Sequence, residues 1–351
     1  MQVEITASAL QSEGGRLALL AVFALGLLGR HRVVVEDDDA FRAWRAALPD
    51  DLAEELQLAA EQGLHAIAIG AASDDGVRVV ARASRWDRSL PELDPEDALA
   101  LLQVPLRIFV ENARNDRAFL LAFADPDQRR RLEHAEQRGW LVYTGGGIGE
   151  IQKALETTMS PSSWFVAHRT WALCDSDAAT AGSPGRASTT ITHLLRRLER
   201  RMGRPAGWAG TALARRAIEN YAPPDRVRSW AMTLWSAPAE EVDRWMSEAN
   251  ARLEGGGYLR PLPKVGTPKR RILGALALRS LPPQQRAHLD LKRGKEGTDR
   301  EQWEKIPEPA RTWLDHGLGA GFAAEFYPRF RDLEDDSGEL RPLLDQLLRR
   351  L

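Results

Sequence analysis

The residues of this chain best placed to do chemistry are acids at the ends of apolar runs. WALCDSDA (171–178) is four hydrophobic residues that break off into Asp175 and Asp177, one residue apart. LRIFVE (106–111) ends in Glu111 in the same way, and WLVYT (140–144) runs into Gly145–Gly147. Residues two apart on an extended chain point to one side, so both aspartates can face one point. Carboxylates gathered at neighbouring strand ends repel one another unless a cation sits among them. An all-oxygen donor set selects a hard cation, Mg2+ first and Mn2+ as its substitute. Such an ion suits phosphoryl chemistry, where it neutralises phosphate and orients a nucleophilic water. Alone, Asp175 and Asp177 are more simply a turn or a helix cap. GGGIGE is not a dinucleotide fingerprint, because Glu150 stands where the last glycine would be.

Three strands must carry these ends. The pattern predicts a strand over 106–111, a helix over 115–123 with Asn115 as its N-cap, and a strand over 140–144. A glycine turn then feeds a helix over 145–156, and a third strand covers 170–175. Strand–helix–strand–helix–strand at this spacing is a parallel, doubly wound arrangement, whose ligands bind at the carboxyl ends of the strands. The first hundred residues read as another α/β unit. It has strands at VEIT (3–6), RVVVED (32–37), HAIAIG (65–70) and VRVVARA (77–83), with helices over 17–28 and 51–62. EDDD (36–39) reads as a solvated helix start, and 90–105 as a Pro- and Asp-punctuated connector with a short helix. SDAATAGSPGRAST (176–189) is turn-forming. Beyond it the chain is mostly helical: 189–202 sets Ile191, Leu194, Leu195, Leu198 and Met202 on one face, and 237–254 and 339–351 continue the character. No repeat of fixed period appears. The expected fold class is α/β, a parallel sheet flanked by helices at 101–225, with an N-terminal α/β unit at 1–100 and a mainly helical C-terminal region at 226–351.

Composition narrows the function classes. With 43% hydrophobic and 28% charged residues, the 351-residue chain can bury a real core, and a net charge of −2 makes any nucleic-acid surface a local one. Cys174 is the only cysteine, which excludes an intramolecular disulfide and Cys-rich zinc sites and fits a reducing cytoplasm. The most apolar run, Leu17–Leu28, is 12 residues long, too short to span a bilayer, so no membrane partner is expected. Basic residues cluster twice. Arg196, Arg197, Arg200, Arg215 and Arg216 belong to one stretch; Lys269, Arg270, Arg271, Lys292 and Lys295 belong to the other. Beside an acidic centre this is the distribution of a polyanion track, the alternative being solvated helix faces. The tryptophans read as packing rather than base-stacking residues.

Glu111 in FVENARND, Gly145–Gly147 in YTGGGIGE and Asp175/Asp177 in LCDSDA together resemble the TOPRIM domain of topoisomerases, primases and overcoming-lysogenisation-defect (OLD) nucleases. RRAIENY (215–221) is similar to the Arg-x-x-Glu-Asn-Tyr segment that follows Asp-x-Asp in OLD-type and related defence-associated proteins. The resemblance covers roughly residues 104–180. It implies a TOPRIM-like sheet and metal ligation by Glu111, Asp175 and Asp177. Glu219 and Asp116, the acid on the helix after the first glutamate, would complete a second metal site, and Arg215 or Arg216 would face phosphate. Two departures stand out: Asn112 follows Glu111 where the family has glycine, and Asp116 lies five residues on rather than four. Lys292 and Lys295 are candidates for the positive charge that steadies a pentavalent phosphate. The implied activity is a Mg2+-dependent nuclease on DNA or RNA. With no P-loop in the chain, the resemblance implies the effector half of a bacterial anti-phage system. Its ATPase or sensor would lie on another chain, within a homo-oligomer or hetero-complex. The alternative is a non-catalytic TOPRIM-like module that binds nucleic acid or nucleotide or docks to a partner. A third reading is a phosphotransfer enzyme on small nucleotides.

Overall fold

The structure, a computed structural model, describes residues 1–69, 75–160, 162–176, 184–215, 218–235, 240, 253–254, 258–259 and 320–351. The first unit runs β1 (Gln2–Ile5), α1 (Ala7–Gln11), α2 (Arg16–Leu27), β2 (Arg32–Val35), α3 (Asp38–Arg45), α4 (Asp50–Ile69), β3 (Gly76–Val79) and β4 (Glu92–Leu93). Its strands pair in the order β2-β1-β3-β4, all parallel. Helix α5 (Pro95–Gln103) follows and packs into the first core through Ala98, Leu101 and Leu102. The second unit runs β5 (Leu106–Val110), α6 (Ala113–Phe123), α7 (Pro126–Gln137), β6 (Leu141–Gly145), α8 (Ile148–Thr158), α9 (Trp164–His168), β7 (Thr170–Cys174), α10 (Arg186–Arg201) and β8 (Gly210–Ala212). Its order is β6-β5-β7-β8, again all parallel. After it come α11 (Pro224–Trp235), a short antiparallel pair β9 (Leu253–Glu254) and β10 (Tyr258–Leu259), α12 (Ala320–Phe326) and α13 (Leu340–Arg349). The protein is thus α/β with two four-stranded parallel sheets flanked by helices. No helix among the described residues is long and apolar enough to cross a membrane.

The second sheet is covered on both faces, as parallel sheets require. Every residue of β7 is buried. Trp171 and Leu173 join Ile108, Phe119 and the α13 leucines Leu343, Leu344 and Leu347 on one side; Ala172 and Cys174 meet Ile151, Leu155, Ile191, Leu195 and Leu198 on the other. The expected apolar face of α10 is the buried one, with Leu194 half-buried at its margin. In the first unit, Asp37 caps α3 through Asp39 N–H (2.9 Å) and Ala40 N–H (3.0 Å), so EDDD is indeed a helix start.

Several expectations need correction. Residues 65–69 of HAIAIG are not a strand but the end of α4. Alanine and leucine propagate a helix once it is nucleated, and nothing after Gln62 stops it. The fourth strand of that sheet is instead Glu92–Leu93, two residues inside the stretch read as a connector. VRVVARA contributes only through Val79, where the ladder ends. The cap of α6 is Asn112, not Asn115: its side chain accepts from Arg114 N–H and Asn115 N–H, both at 3.1 Å. Asn115 is buried inside the helix. Most of the helix expected at 237–254 lies outside the described residues, and its last two positions form β9.

Candidate functional site

The strand order reverses between β5 and β7: the chain leaves β5 to form β6 on one side, then crosses back to lay β7 on the other. In open parallel sheets the crevice at the carboxyl ends of two such strands is where ligands bind. Glu111 follows β5 and Asp175 follows β7, so the two acids flank this crevice. They are directly connected: Asp175 N–H donates to Glu111 Oε1 at 3.0 Å. Asp175 Oδ1 in turn accepts from Ile218 N–H at 3.1 Å. That amide begins the 3₁₀ turn Ile218–Tyr221, the IENY of the sequence. Main-chain donors thus orient both carboxylates.

The glycine turn leads from β6 into α8 as expected, with Gly147 as the N-cap of the helix. Gly146 N–H (3.3 Å) and Gly147 N–H (2.9 Å) both donate to the Glu111 main-chain carbonyl, so these amides tie β6 to β5. Gly147 adopts φ 76°, the left-handed region that favours glycine. A Cβ on Gly145 would lie 2.6 Å from Ala113 N, at the start of α6.

Asp116 lies behind Glu111. It is buried, and its Oδ2 accepts from Asn112 N–H at 2.7 Å. Burial pushes its pKa up to about 7, the Glu111 charge adds to the rise, and main-chain N–H donation from Asn112 and Glu111 opposes it. The extra residue between Glu111 and Asp116 is absorbed in the Asn112 cap, which turns Asp116 onto its own helix start.

A second layer supports the crevice. Ser176 Oγ donates to Arg215 O (2.8 Å), and Ser188 Oγ to Ser176 O (2.5 Å), fastening the chain after β7 to α10 and to residue 215. Tyr221 OH accepts from Arg215 N–H (3.1 Å) and donates to Glu339; Tyr327 OH donates to Ile218 O. Burial first, and the Glu339 charge second, hold the Tyr221 hydroxyl well above its ordinary value. Glu339 and Tyr327 lie more than a hundred residues along the chain from the turn they hold. No spacing rule in the sequence could have found them.

The other predicted residues fall as follows. Arg215 pairs with Asp336 at 2.7 Å and lies 5.1 Å over the Tyr221 ring, so its guanidinium is turned to the protein. Arg196, Arg197 and Arg200 are exposed on α10. Gly185 N–H bonds Ser176 O, which sets the start of α10 beside the crevice. At 1.5 Å per residue, Arg196 lies about 15 Å down the helix from there. Arg201 and Arg204, from the same basic stretch, are engaged elsewhere. Arg201 donates to Thr158 O and Ser160 O, and Arg204 pairs with Asp75 at 3.5 Å in the interior. Trp208 and Trp230 are buried packing residues. Asp177, Arg216, Lys269, Arg270, Arg271, Lys292 and Lys295 lie outside the described residues, as does the Glu219 side chain.

The donors at the crevice suit a hard cation in kind, being carboxylate oxygens alone. Among the described residues no group of three or more His, Cys, Asp or Glu side chains is gathered to hold a metal ion. No family model, curated protein or solved structure matches the chain.

Proposed function

We propose that the chain is a Mg2+-dependent phosphodiesterase of TOPRIM type that cuts DNA or RNA. The observation that carries this reading is the meeting of Glu111, Asp175 and the Ile218–Tyr221 turn at the β5/β7 crevice. These segments lie far apart in sequence, and main-chain N–H groups donating to the Glu111 and Asp175 carboxylates join them. In this reading Glu111, Asp175, Asp177 and Glu219 hold the metal, with Mn2+ as a substitute. Asp116 sits behind them as a proton-bearing neighbour. A bound Mg2+ supplies neutralisation of the phosphate and an activated water. The chain's own residues keep the acids aimed, through the Asp175 and Ile218 amides. Lys292 and Lys295 are assigned the positive charge beside the reacting phosphate, and Arg196, Arg197, Arg200, Arg216, Lys269, Arg270 and Arg271 the path of the polyanion. On the resemblance alone, the protein is a cytoplasmic anti-phage effector that works with a separate ATPase or sensor chain.

The test is incubation with plasmid, linear DNA and total RNA in Mg2+, Mn2+ or EDTA, repeated with Glu111→Gln and Asp175→Asn. Loss of a ligand to a catalytic metal removes several kcal/mol of transition-state stabilisation, so each variant should cut more than about 100-fold slower. In Glu111→Gln the new amide oxygen can still accept from Asp175 N–H, so the thermal midpoint of that variant should stay near wild type. Cleavage that survives both substitutions would overturn the assignment. The buried, partly protonated Asp116 and the Arg215 guanidinium, paired with Asp336, favour a second reading, a non-catalytic nucleic-acid or nucleotide binding or docking module. It predicts binding of the same substrates without cleavage.

A further inference from the structure

A cleft of about 490 Å3 opens where the two units meet, at the amino ends of their strands. Its size falls in the range of small-molecule sites. It is remote from the acids: Trp140 O accepts from Leu106 N–H at the start of β5, whereas Glu111 follows the strand's other end, about 16 Å away at 3.3 Å per residue. Arg32, Arg131 and Arg349 line it, and among the described residues none of the three makes an ion pair. Arg131 is anchored by donation to Leu348 O at 3.0 Å, and burial first, then the Arg32 charge, holds its guanidinium below its ordinary value. The acids in the same wall are committed elsewhere. Asp125 caps α7, Asp127 pairs with Arg130, and Asp345 accepts from Gln128 Nε2 at 2.7 Å. Asp345 and Asp125 also act on the Arg131 guanidinium, so the wall carries both signs, with Arg32, Arg131 and Arg349 as its anion-seeking groups.

Two further groups in the wall add specificity. His31 is buried, and its Nε2 lies 2.9 Å from Leu102 O, so Nε2 carries the hydrogen and Nδ1 is an acceptor. Nδ1 is buried and has no partner among the described residues. A buried acceptor left unpaired is costly, and a ligand N–H or O–H would satisfy it. Trp140, half-buried and braced edge-on by His134 at 5.3 Å, supplies an aromatic surface. Guanidiniums, a buried acceptor and an indole in one cleft match phosphate, a sugar or base donor, and a base. We propose that this cleft binds a mononucleotide, with its phosphates on Arg32, Arg131 and Arg349, its base against Trp140, and a base or ribose donor on His31 Nδ1.

The site stands apart from the acids of the β5/β7 crevice, so its test is independent of any cleavage assay. Titration calorimetry of the full chain with ATP, AMP, adenosine and inorganic pyrophosphate should show both nucleotides binding, with adenosine and pyrophosphate each about tenfold weaker or more. Arg32→Gln and the exposed Arg349→Gln should each weaken ATP by about tenfold with an unchanged thermal midpoint. ATP should quench tryptophan fluorescence in the wild type and less in Trp140→Phe. Adenosine binding as tightly as AMP would overturn the phosphate contacts, and pyrophosphate binding as tightly as ATP would overturn the base contact. No binding at millimolar nucleotide, or binding indifferent to both arginine substitutions, would overturn the site.

Discussion

Asp116 is the acid whose proton the fold controls most directly. Near neutral pH it is divided between protonated and ionised forms, because burial and the Glu111 charge oppose ionisation and two main-chain amides favour it. A carboxyl whose pKa is raised on folding contributes stability that is full below its unfolded value and is lost as pH rises through the folded one. In buffer containing EDTA, the wild-type chain should therefore lose stability relative to Asp116→Asn between about pH 4 and about pH 8, by a few kcal/mol at most. Urea denaturation across that range checks it, and parallel profiles would show that the Asp116 proton is not linked to folding. The identities of Glu111 and Asp175 were legible in the sequence because each acid interrupts an apolar run. The burial of Asp116 was not, since it follows from a helix cap one turn earlier.

At the scale of elements, the crevice depends on how closely α6 approaches β6. Gly145 permits that approach, since a side chain there would press on the Ala113 amide, which is backbone and cannot swing aside. Gly145→Ala should cost on the order of 1–3 kcal/mol, the usual penalty for overpacking, read as a lower urea midpoint. It should also reduce cleavage, because Ala113 is two residues from Glu111. Strand periodicity identified β5, β6 and β7 of the second sheet but failed at HAIAIG, where a short apolar run is equally compatible with either state. The two-residue strand β4 carries too little pattern to be read, as does the three-residue β8.

The whole molecule is held along a seam of buried charge. Asp75, from the first unit, pairs with Arg204 (3.5 Å) and Arg350 (3.6 Å) and accepts from Trp208 Nε1 (3.0 Å). Arg350 lies 3.8 Å over the Trp208 ring and donates to Thr170 O, Trp208 O and His168 O. His168, 1% exposed, is held neutral by burial first and by the Arg204 and Arg350 charges next. The unfolded chain protonates this ring below its ordinary value of 6.5 while the folded one resists, so its stability contribution is present above that pH and lost below it. A single such histidine gives a slope of about 1.4 kcal/mol per pH unit. His168→Gln, which cannot ionise, should be less stable than wild type at about pH 8, and the deficit should shrink toward about pH 5. Thermal midpoints at both ends measure this; a constant deficit would show that the proton is not involved.

By itself the sequence determined the α/β class, the strand ends that carry Glu111 and Asp175, and the apolar face of α10. Each of these is written in residues a few positions apart, where periodicity and acid placement are local properties. The tertiary structure decided that both units share one strand order, that β5 and β7 flank the crevice, and that Glu339 and Tyr327 return to hold the Ile218–Tyr221 turn. It also decided that Arg204 serves the interior and that Arg215 is engaged by Asp336 and the Tyr221 ring. Partners separated by more than a hundred residues leave no spacing to read: their meeting depends on how sheets and helices pack, and a local pattern does not encode it.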